Sequence, residues 1–173
     1  MKKRILAAVL SLTLVATLFA GCGNGGDGGE EKLTIKMTLN GTDSATDAKT
    51  ANKYAELVAE ASNGNIEIKP YPNDQLAGGN QSKGIEMLAQ GTTEMAAYSN
   101  GVLGNLDEKL LTSNIPWSFS DYDEVKSYWD GTGGEYAAKL LADKGITYLG
   151  AIHNGFRQLT NSKHEVKTPE DVK

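Results

Sequence analysis

The sequence predicts an α/β fold with a largely parallel sheet. Segments of alternating apolar residues, typical of strands, take turns along the chain with longer segments whose apolar residues recur at helical spacing. The chain has 173 residues, of which 39% are apolar, and this is enough to build the core of one ordinary domain. Strands that alternate with helices lie parallel in one sheet, and the helices cover its faces.

The first predicted strand and helix lie in the N-terminal third. The stretch KLTIKMTL alternates and places four apolar side chains on one face, namely Leu33, Ile35, Met37 and Leu39. Residues 42–64 predict a helix that begins with a capping box of Ser44 and Asp47 and ends at the left-handed Asn-Gly pair 63–64. Its predicted buried stripe consists of residues at helical spacing, namely Tyr54, Leu57, Val58 and Ala61.

Two more strands and a short helix are predicted next. Residues 65–71, NIEIKPY, form the second strand, which its prolines close. Residues 78–91 form a helix that turns Ile85, Leu88 and Ala89 inward and stops at Gly91. Residues 93–101, TEMAAYSNG, form a third strand that ends in small polar residues.

The second half of the chain predicts two helices and a fourth strand. Ser120 caps the first of these helices, and a capping box of Thr132 and Glu135 begins the second. The second helix is predicted to bury three side chains, those of Tyr136, Leu140 and Leu141. Residues 146–152, ITYLGAI, form the fourth strand, and residues 156–161 continue it or form the next. The letters TPED predict a final helix start, with threonine as cap and proline at the first helical position.

Composition excludes several function classes. The net charge of -5 argues against binding to nucleic acid or to an anionic membrane surface, because both need clustered cations. The single cysteine, Cys22, permits no internal disulfide. His153 and His164 have no cysteine partner at metal-ligand spacing, so no metal and no other cofactor is predicted.

The N-terminal segment predicts export and lipid anchoring. A positive start is followed by about 15 mostly apolar residues, fewer than the ~20 that a membrane-spanning helix needs. The letters LFAGC resemble a bacterial lipobox, in which the cysteine, here Cys22, is lipidated and becomes the new N-terminus. Residues 1–22 are therefore predicted to be a lipoprotein signal, with an ordinary signal peptide as the alternative. Residues 23–32, mostly glycine and acidic residues, predict a flexible tether.

Polar residues follow three of the predicted strands. Asn40 follows the first strand, Ser99 and Asn100 follow the third, and Asn154 and Arg157 follow the fourth. In sheets of this kind ligands bind beyond the carboxyl ends of the strands. We therefore predict that these five residues contact a ligand, although such polar residues are also typical of turns.

Arg157 is the only arginine outside the leader, because every other cation from residue 5 onward is a lysine. A guanidinium presents a planar fork that pairs with both oxygens of a carboxylate, which lysine cannot do. Arg157 is therefore a candidate for binding an organic anion, and an ordinary surface arginine is the alternative. The sequence contains no Gly-x-Ser-x-Gly or His-Glu-x-x-His motif, and LAGGNQSKG lacks the ending of a phosphate loop, so no enzymatic activity is predicted.

Four separated stretches resemble one family. They are NGNIEIKPYPNDQLAGGNQ, GIEMLAQGTTEMAAYSNG, NIPWSFSDYDEV and GITYLGAIHNGFRQLTNSKHEVKTPEDVK. In order and spacing they are similar to the extracytoplasmic solute receptors of tripartite ATP-independent periplasmic (TRAP) transporters, of the C4-dicarboxylate-binding type. The resemblance implies a two-lobed clamshell α/β fold, like that of periplasmic binding proteins, which closes on a small organic acid and delivers it to membrane permease subunits. It also implies a location outside the cytoplasm, in the periplasm or on the outer face of the cell membrane.

The resemblance also assigns roles by position. Asn40 matches a ligand contact after the first strand, and Ser99 matches one after the third, where some relatives have an acidic residue. Arg157, in NGFRQ, matches one of the arginines that line the cleft, and Asn154 shapes the same loop.

Measured against the family, the sequence predicts a truncated clamshell. Residues 33–149 are expected to form most of lobe one, and residues 150–173 to form the first strands of lobe two. In the family, TPEDVK leads into a strand that carries the main carboxylate-pairing arginine, so this portion alone is expected to bind its acid weakly or not at all. Two other functions stay open at this point. One is a substrate-binding lipoprotein of an ATP-driven importer, and the other is an anchored enzyme or adhesion module.

Overall fold

The structure, a computed structural model, describes residues 32–173. The predicted leader with Cys22 and nearly all of the predicted tether lie outside the described residues. The strands are β1 (Leu33–Leu39), β2 (Ile66–Tyr71) and β3 (Met95–Ala97). The α-helices are α1 (Thr46–Ala61), α2 (Gln81–Ala89), α3 (Asn100–Leu103), α4 (Tyr122–Asp130) and α5 (Thr132–Ala142). Short 3-10 segments cover Gln75–Ala77, Glu108–Asn114 and Pro169–Val172.

Within residues 32–173 the strands form one parallel sheet in the order β2-β1-β3. β1 is central, with Leu33 opposite Ile66 on one side and Met37 opposite Met95 on the other. Each crossover from strand to strand passes through a helix, as parallel neighbours require. The predicted α/β fold with a parallel sheet is confirmed. Because all three strands point the same way, their carboxyl ends meet at one edge of the sheet.

Helix α1 packs on the sheet through small side chains. The core between them consists of Met37, Leu39, Ala48, Ala51 and Ile68. Val58 packs against this core as predicted, but Tyr54 and Leu57 are 38% and 49% exposed, and Ala61 is exposed as well. The predicted stripe was therefore wrong for three of its four residues. Alanines let the helix axis approach the sheet more closely than large side chains would, so the alanine-rich face is the one that is buried.

The ends of α1 differ in how well they were predicted. The N-cap residue is Ala45, which makes no side-chain cap bond, so the predicted box of Ser44 and Asp47 was wrong. The Asp47 carboxylate instead accepts a hydrogen bond from the backbone N–H of Gly41 at 2.9 Å, because it turns toward the loop that follows β1. At the other end Asn63 and Gly64 both have positive φ angles, so the predicted left-handed termination is confirmed.

A second core lies among the helices of the C-terminal half. It consists of Leu110, Ala137, Leu140 and Leu141, so burial of the two predicted leucines is confirmed. Tyr136 is 41% exposed, which contradicts its predicted burial. It lies one residue before the buried Ala137, on a helix position that is turned away from this core.

The predicted helix caps in this half were wrong in register. Asp121, rather than Ser120, caps α4 by accepting from the backbone N–H of Glu124 at 2.9 Å. The N-cap of α5 is Gly131, so the predicted box of Thr132 and Glu135 does not form. A single residue separates α4 from α5, and this leaves no extended residue whose side chain can turn back onto the helix.

Residues 146–161 contain no strand, which contradicts the prediction of a fourth strand at 146–152 and a continuation at 156–161. In the described part of the chain, residues 147–167 take part in no backbone–backbone hydrogen bond. A strand is completed by a neighbour that pairs with its backbone groups, and an alternating pattern does not supply that neighbour. The predicted start at Thr168 and Pro169 is confirmed as a 3-10 turn, with a capping box between Thr168 and Asp171. None of the described helices combines the length and the hydropathy that crossing a membrane requires.

Candidate functional site

The carboxyl edge of the sheet brings two of the predicted residues together. Asn40 follows β1 and Ser99 follows β3, and the backbone N–H of Ser99 donates to the Asn40 side-chain oxygen at 3.3 Å. Asn40 is half-buried and Ser99 is exposed. Because its oxygen faces Ser99, the Asn40 amide presents its NH₂ group as the remaining donor. The structure thus places these two residues side by side, and their contact with a ligand stays a prediction.

Asn100 lies next to this pair but faces another element. It begins α3, and its side-chain NH₂ donates to the hydroxyl of Ser113 at 2.6 Å. Ser113 belongs to the 3-10 segment Glu108–Asn114, so this bond ties the start of α3 to that segment. The Asn100 side chain is thus already engaged within the protein.

The loop after β1 is fixed by backbone bonds and by a carboxylate. Gly41 donates its N–H to Asp47, and its carbonyl accepts from the N–H of Asn73 at 2.8 Å. A Cβ at Gly41 would clash with the Asp47 carboxylate, so only glycine fits this position. Sequence reasoning did not identify Asp47 in this role, because its position in the first turn of the helix indicated a capping residue instead.

A buried polar group lies directly beneath the edge. The carboxylate of Asp74, 3% exposed, accepts from the hydroxyl of Tyr98 at 2.7 Å. The same hydroxyl lies 3.2 Å from the hydroxyl of Thr38, which is 1% exposed. Burial raises the pKa of Tyr98 to about 12, and the neighbouring carboxylate adds to the effect. Sequence reasoning missed this group, although a glycine in the middle of α2, Gly84, was a signal for it.

Asn154 and Arg157 lie on the segment that follows the helices, and both are exposed. Ring packing attaches this segment to α4, because Tyr122 stacks on His153 at 4.6 Å and packs against Phe156 at 4.9 Å between ring centroids. Among residues 32–173, no ion pair and no hydrogen bond engages the Arg157 guanidinium. The structure does not bring Arg157 into contact with Asn40 or Ser99.

The candidate residues offer two kinds of side-chain chemistry. No group of three or more histidine, cysteine, aspartate or glutamate side chains in residues 32–173 is arranged to hold a metal ion. The edge at Asn40 and Ser99 offers neutral hydrogen-bonding groups, and Arg157 offers a permanently charged planar fork.

Comparison with known proteins gives a consistent result. A model of the family described as "Bacterial extracellular solute-binding protein, family 7" matches residues 38–173. The C4-dicarboxylate-binding protein DctB of Bacillus subtilis is 34% identical over 120 residues, which are 69% of this chain and 34% of that protein. The 2,3-diketo-L-gulonate-binding periplasmic protein of Escherichia coli is 30% identical over 120 residues, covering 69% of this chain and 36% of that protein.

Solved structures with the same fold are TRAP-type or sugar acid receptors. A TRAP periplasmic solute binding protein from Ochrobactrum anthropi superposes with a TM-score of 0.74 at 30% identity, over 82% of this chain and 44% of that one. The sugar acid binding protein of Advenella mimigardefordensis in complex with galactonate gives a TM-score of 0.73 at 26% identity, over 82% of this chain and 45% of that one. The chain spans about a third of the length of the two curated relatives, those from Bacillus subtilis and Escherichia coli.

Proposed function

The chain belongs to the bacterial extracellular solute-binding proteins of family 7, and from this membership we propose that it captures an organic acid outside the cytoplasm for a TRAP-type permease. Membership confirms the resemblance to TRAP receptors found in the sequence, and the family is one of transport proteins. One observation carries the proposal that the solute is an acid. The Arg157 side chain is exposed and forms no ion pair within residues 32–173.

The ligand class follows from the groups on offer. Arg157 would pair with both oxygens of one carboxylate, and a charge-assisted bond of this kind contributes roughly 1.5–3 kcal/mol. Asn40 and Ser99 would hydrogen-bond a hydroxyl, a carbonyl or a second carboxylate. Relatives named for C4-dicarboxylates and a solved receptor with galactonate support an acid that carries further polar groups.

Capture would proceed by closure of two lobes around the acid. In this proposal residues 33–149 supply lobe one with Asn40, Ser99 and Asn100, and residues 150–173 begin lobe two with Asn154 and Arg157. Closure excludes water and strengthens the ion pair, because the local dielectric falls. The acid shifts the population toward the closed form only by its greater affinity for that form. The closed surface is then what the permease subunits bind.

A lipid anchor at Cys22 is the second part of the proposal. The apolar leader, the letters LFAGC and the glycine-rich tether support it. Lipidation would hold the receptor on the outer face of the cell membrane, since acyl chains contribute about 0.8 kcal/mol for each buried CH₂ group. Cells grown with labelled palmitate should label the protein, and Cys22→Ser should abolish the label and release the protein. The anchor would be contradicted if the wild-type protein carried no label and were released from the cells as readily as Cys22→Ser.

Titration calorimetry with charge-matched variants tests the acid site. We expect succinate and galactonate to bind weakly to this chain and uncharged galactitol not to bind. Arg157→Gln should lower the affinity about tenfold or more, because the carboxylate loses its charged partner. Lys163→Gln removes the same charge from the same exposed segment and should change the affinity less than twofold. Equal losses in both variants, or none in either, would contradict a specific role for Arg157.

A further inference from the structure

We propose that Tyr98 and Asp74 are positioning residues that hold Asn40 and Ser99 in the geometry needed to bind the acid. That this geometry serves acid binding rests on the proposed function. That Tyr98 and Asp74 fix the geometry rests on the structure alone. Neither residue has to touch the ligand. Their action passes through the ends of β1 and β3 and through the loop that follows β2.

One hydroxyl group joins these three parts of the chain. The Tyr98 hydroxyl donates to the Asp74 carboxylate at 2.7 Å and lies 3.2 Å from the Thr38 hydroxyl. Tyr98 directly precedes Ser99, and Thr38 lies two residues before Asn40. A fixed Tyr98 side chain therefore fixes the backbone N–H of Ser99, which is the group that orients the Asn40 amide at 3.3 Å.

The backbone around Asp74 supports the same arrangement. The N–H of Asp74 donates to the carbonyl of Leu39 at 2.9 Å, and the N–H of Asn73 donates to the carbonyl of Gly41 at 2.8 Å. These two hydrogen bonds hold the main chain on both sides of Asn40. Asn73 and Asp74 have φ angles of 56° and 50°, in the left-handed region that asparagine and aspartate adopt more readily than other non-glycine residues. The side chain of the buried Asp74 adds its hydrogen bond with Tyr98 to this turn.

Helix α2 leaves space for the Tyr98 hydroxyl by having a glycine, and this glycine lowers the helix propensity of the segment. Gly84 is buried within α2, where alanine would favour the helix more than glycine does. A Cβ at this position would clash with the Tyr98 hydroxyl oxygen and would come within 3.1 Å of the Asp74 carboxylate. The glycine is thus explained by the position of the hydroxyl.

An apolar alternative of the same shape would serve packing alone. Phenylalanine fills nearly the volume of tyrosine and would not require a buried carboxylate beside it. Burying a hydroxyl and a carboxylate is costly unless they bond to each other, and such bonds specify direction more than they add stability. The direction they specify here is that of the Ser99 N–H, and it leaves the NH₂ group of Asn40 free to donate to an anion.

Hydrogen exchange on the mature chain tests the positioning. Tyr98→Phe should speed exchange of the Ser99 amide about tenfold or more and leave the amides of Leu140 and Leu141 within twofold. Tyr71→Phe is the matched control, because it deletes a tyrosine hydroxyl at the end of β2 that makes no side-chain hydrogen bond among the described residues, and it should change neither set. An unchanged Ser99 amide, or equal acceleration in Leu140 and Leu141, would overturn the proposal.

Conservative rescue and a measurement on the unaltered chain complete the test. Asp74→Asn keeps an acceptor oxygen and should hold Ser99 exchange within about threefold, whereas Asp74→Ala should match Tyr98→Phe. In the wild-type chain the Ser99 ¹³Cα resonance, which does not exchange with water, should move with the Tyr98 ring resonance as the phenol ionises, and a fixed Ser99 resonance would overturn the proposal even if no variant folds. None of these readings requires a ligand. Failure of acid binding would thus count against the proposed function alone, and failure here would count against the positioning alone.

Discussion

The carboxyl edge of the sheet and the segment of residues 146–161 both carry predicted ligand contacts, but they are built in different ways. At the edge, backbone bonds from Asn73 and Asp74 hold the chain on both sides of Asn40. The segment with Arg157 lacks any backbone–backbone bond beyond that of Ile146 in the described part of the chain. Side-chain packing attaches it, through Tyr148 near its start and through the rings that contact Tyr122. Neutral groups are thus pre-positioned, whereas the charged group lies on a segment without a paired strand.

This difference predicts a large contrast in amide protection. Amides of Met37, Thr38 and Leu39 in the central strand should exchange at least about 10³-fold more slowly than those of residues 147–161, because core strands open only with much of the global free energy of unfolding. Residue-resolved hydrogen exchange measures both in one sample. Comparable protection in the two regions would mean that the segment pairs with a strand after all.

A variant at Gly84 would break the pre-formed edge from within. Gly84→Ala should destabilise the protein by about 1–3 kcal/mol, because the added methyl group meets the Tyr98 hydroxyl, even though alanine favours the helix. Denaturant unfolding measures the free energy of unfolding of each variant. Ser82→Ala, at an exposed position of the same helix, is the control and should be neutral or stabilising.

The same contact can be isolated by a double variant. Tyr98→Phe removes the atom with which the new methyl group clashes, so Gly84→Ala should cost less in that background than in the wild type. Costs that simply add would show that the clash lies elsewhere.

Alkaline pH gives the smallest expected effect, and comparison with Tyr98→Phe isolates the part of it that arises at the edge. Burial raises the pKa of Tyr98 to about 12. The stability that the neutral Tyr98 hydroxyl contributes is therefore complete below the ordinary tyrosine pKa of about 10, and it is lost as the pH rises toward 12. Because the ring is only half-buried, we expect a loss on the order of 1 kcal/mol. The difference in stability between wild type and Tyr98→Phe should shrink over this range. A constant difference would contradict the shifted pKa.

Local patterns in the sequence predicted most of the elements, but not the interactions that depend on neighbours. The parallel sheet, Ile85 in the core and the left-handed turn at Asn63 follow from apolar periodicity and from residue-specific backbone preferences. Ala89, predicted to face inward with Ile85, is exposed in the last turn of α2. The buried face of α1 did not, because side-chain size suggested Tyr54 and Leu57 whereas close packing selected the alanines. The fourth strand did not either, since alternation does not provide a pairing partner.

The candidate site shows the same division. That Asn40 and Ser99 meet followed from the rule that parallel strands end at one edge. The role of Asp74 could not be predicted, because its partner Tyr98 is 24 residues away in the sequence. For Arg157 the sequence indicated the chemistry, and its partner in the acid site remains a proposal.

In the proposed function, two separate regions act as one acid site. Arg157 is the only arginine outside the leader, so its side-chain Nε–H gives a single resonance in the mature chain that can be followed with the Ser99 amide during titration with galactonate. We predict that both signals shift with one shared midpoint and that Arg157→Lys weakens the response at Ser99. A shift at Arg157 that leaves Ser99 unmoved, or two different midpoints, would contradict a single site.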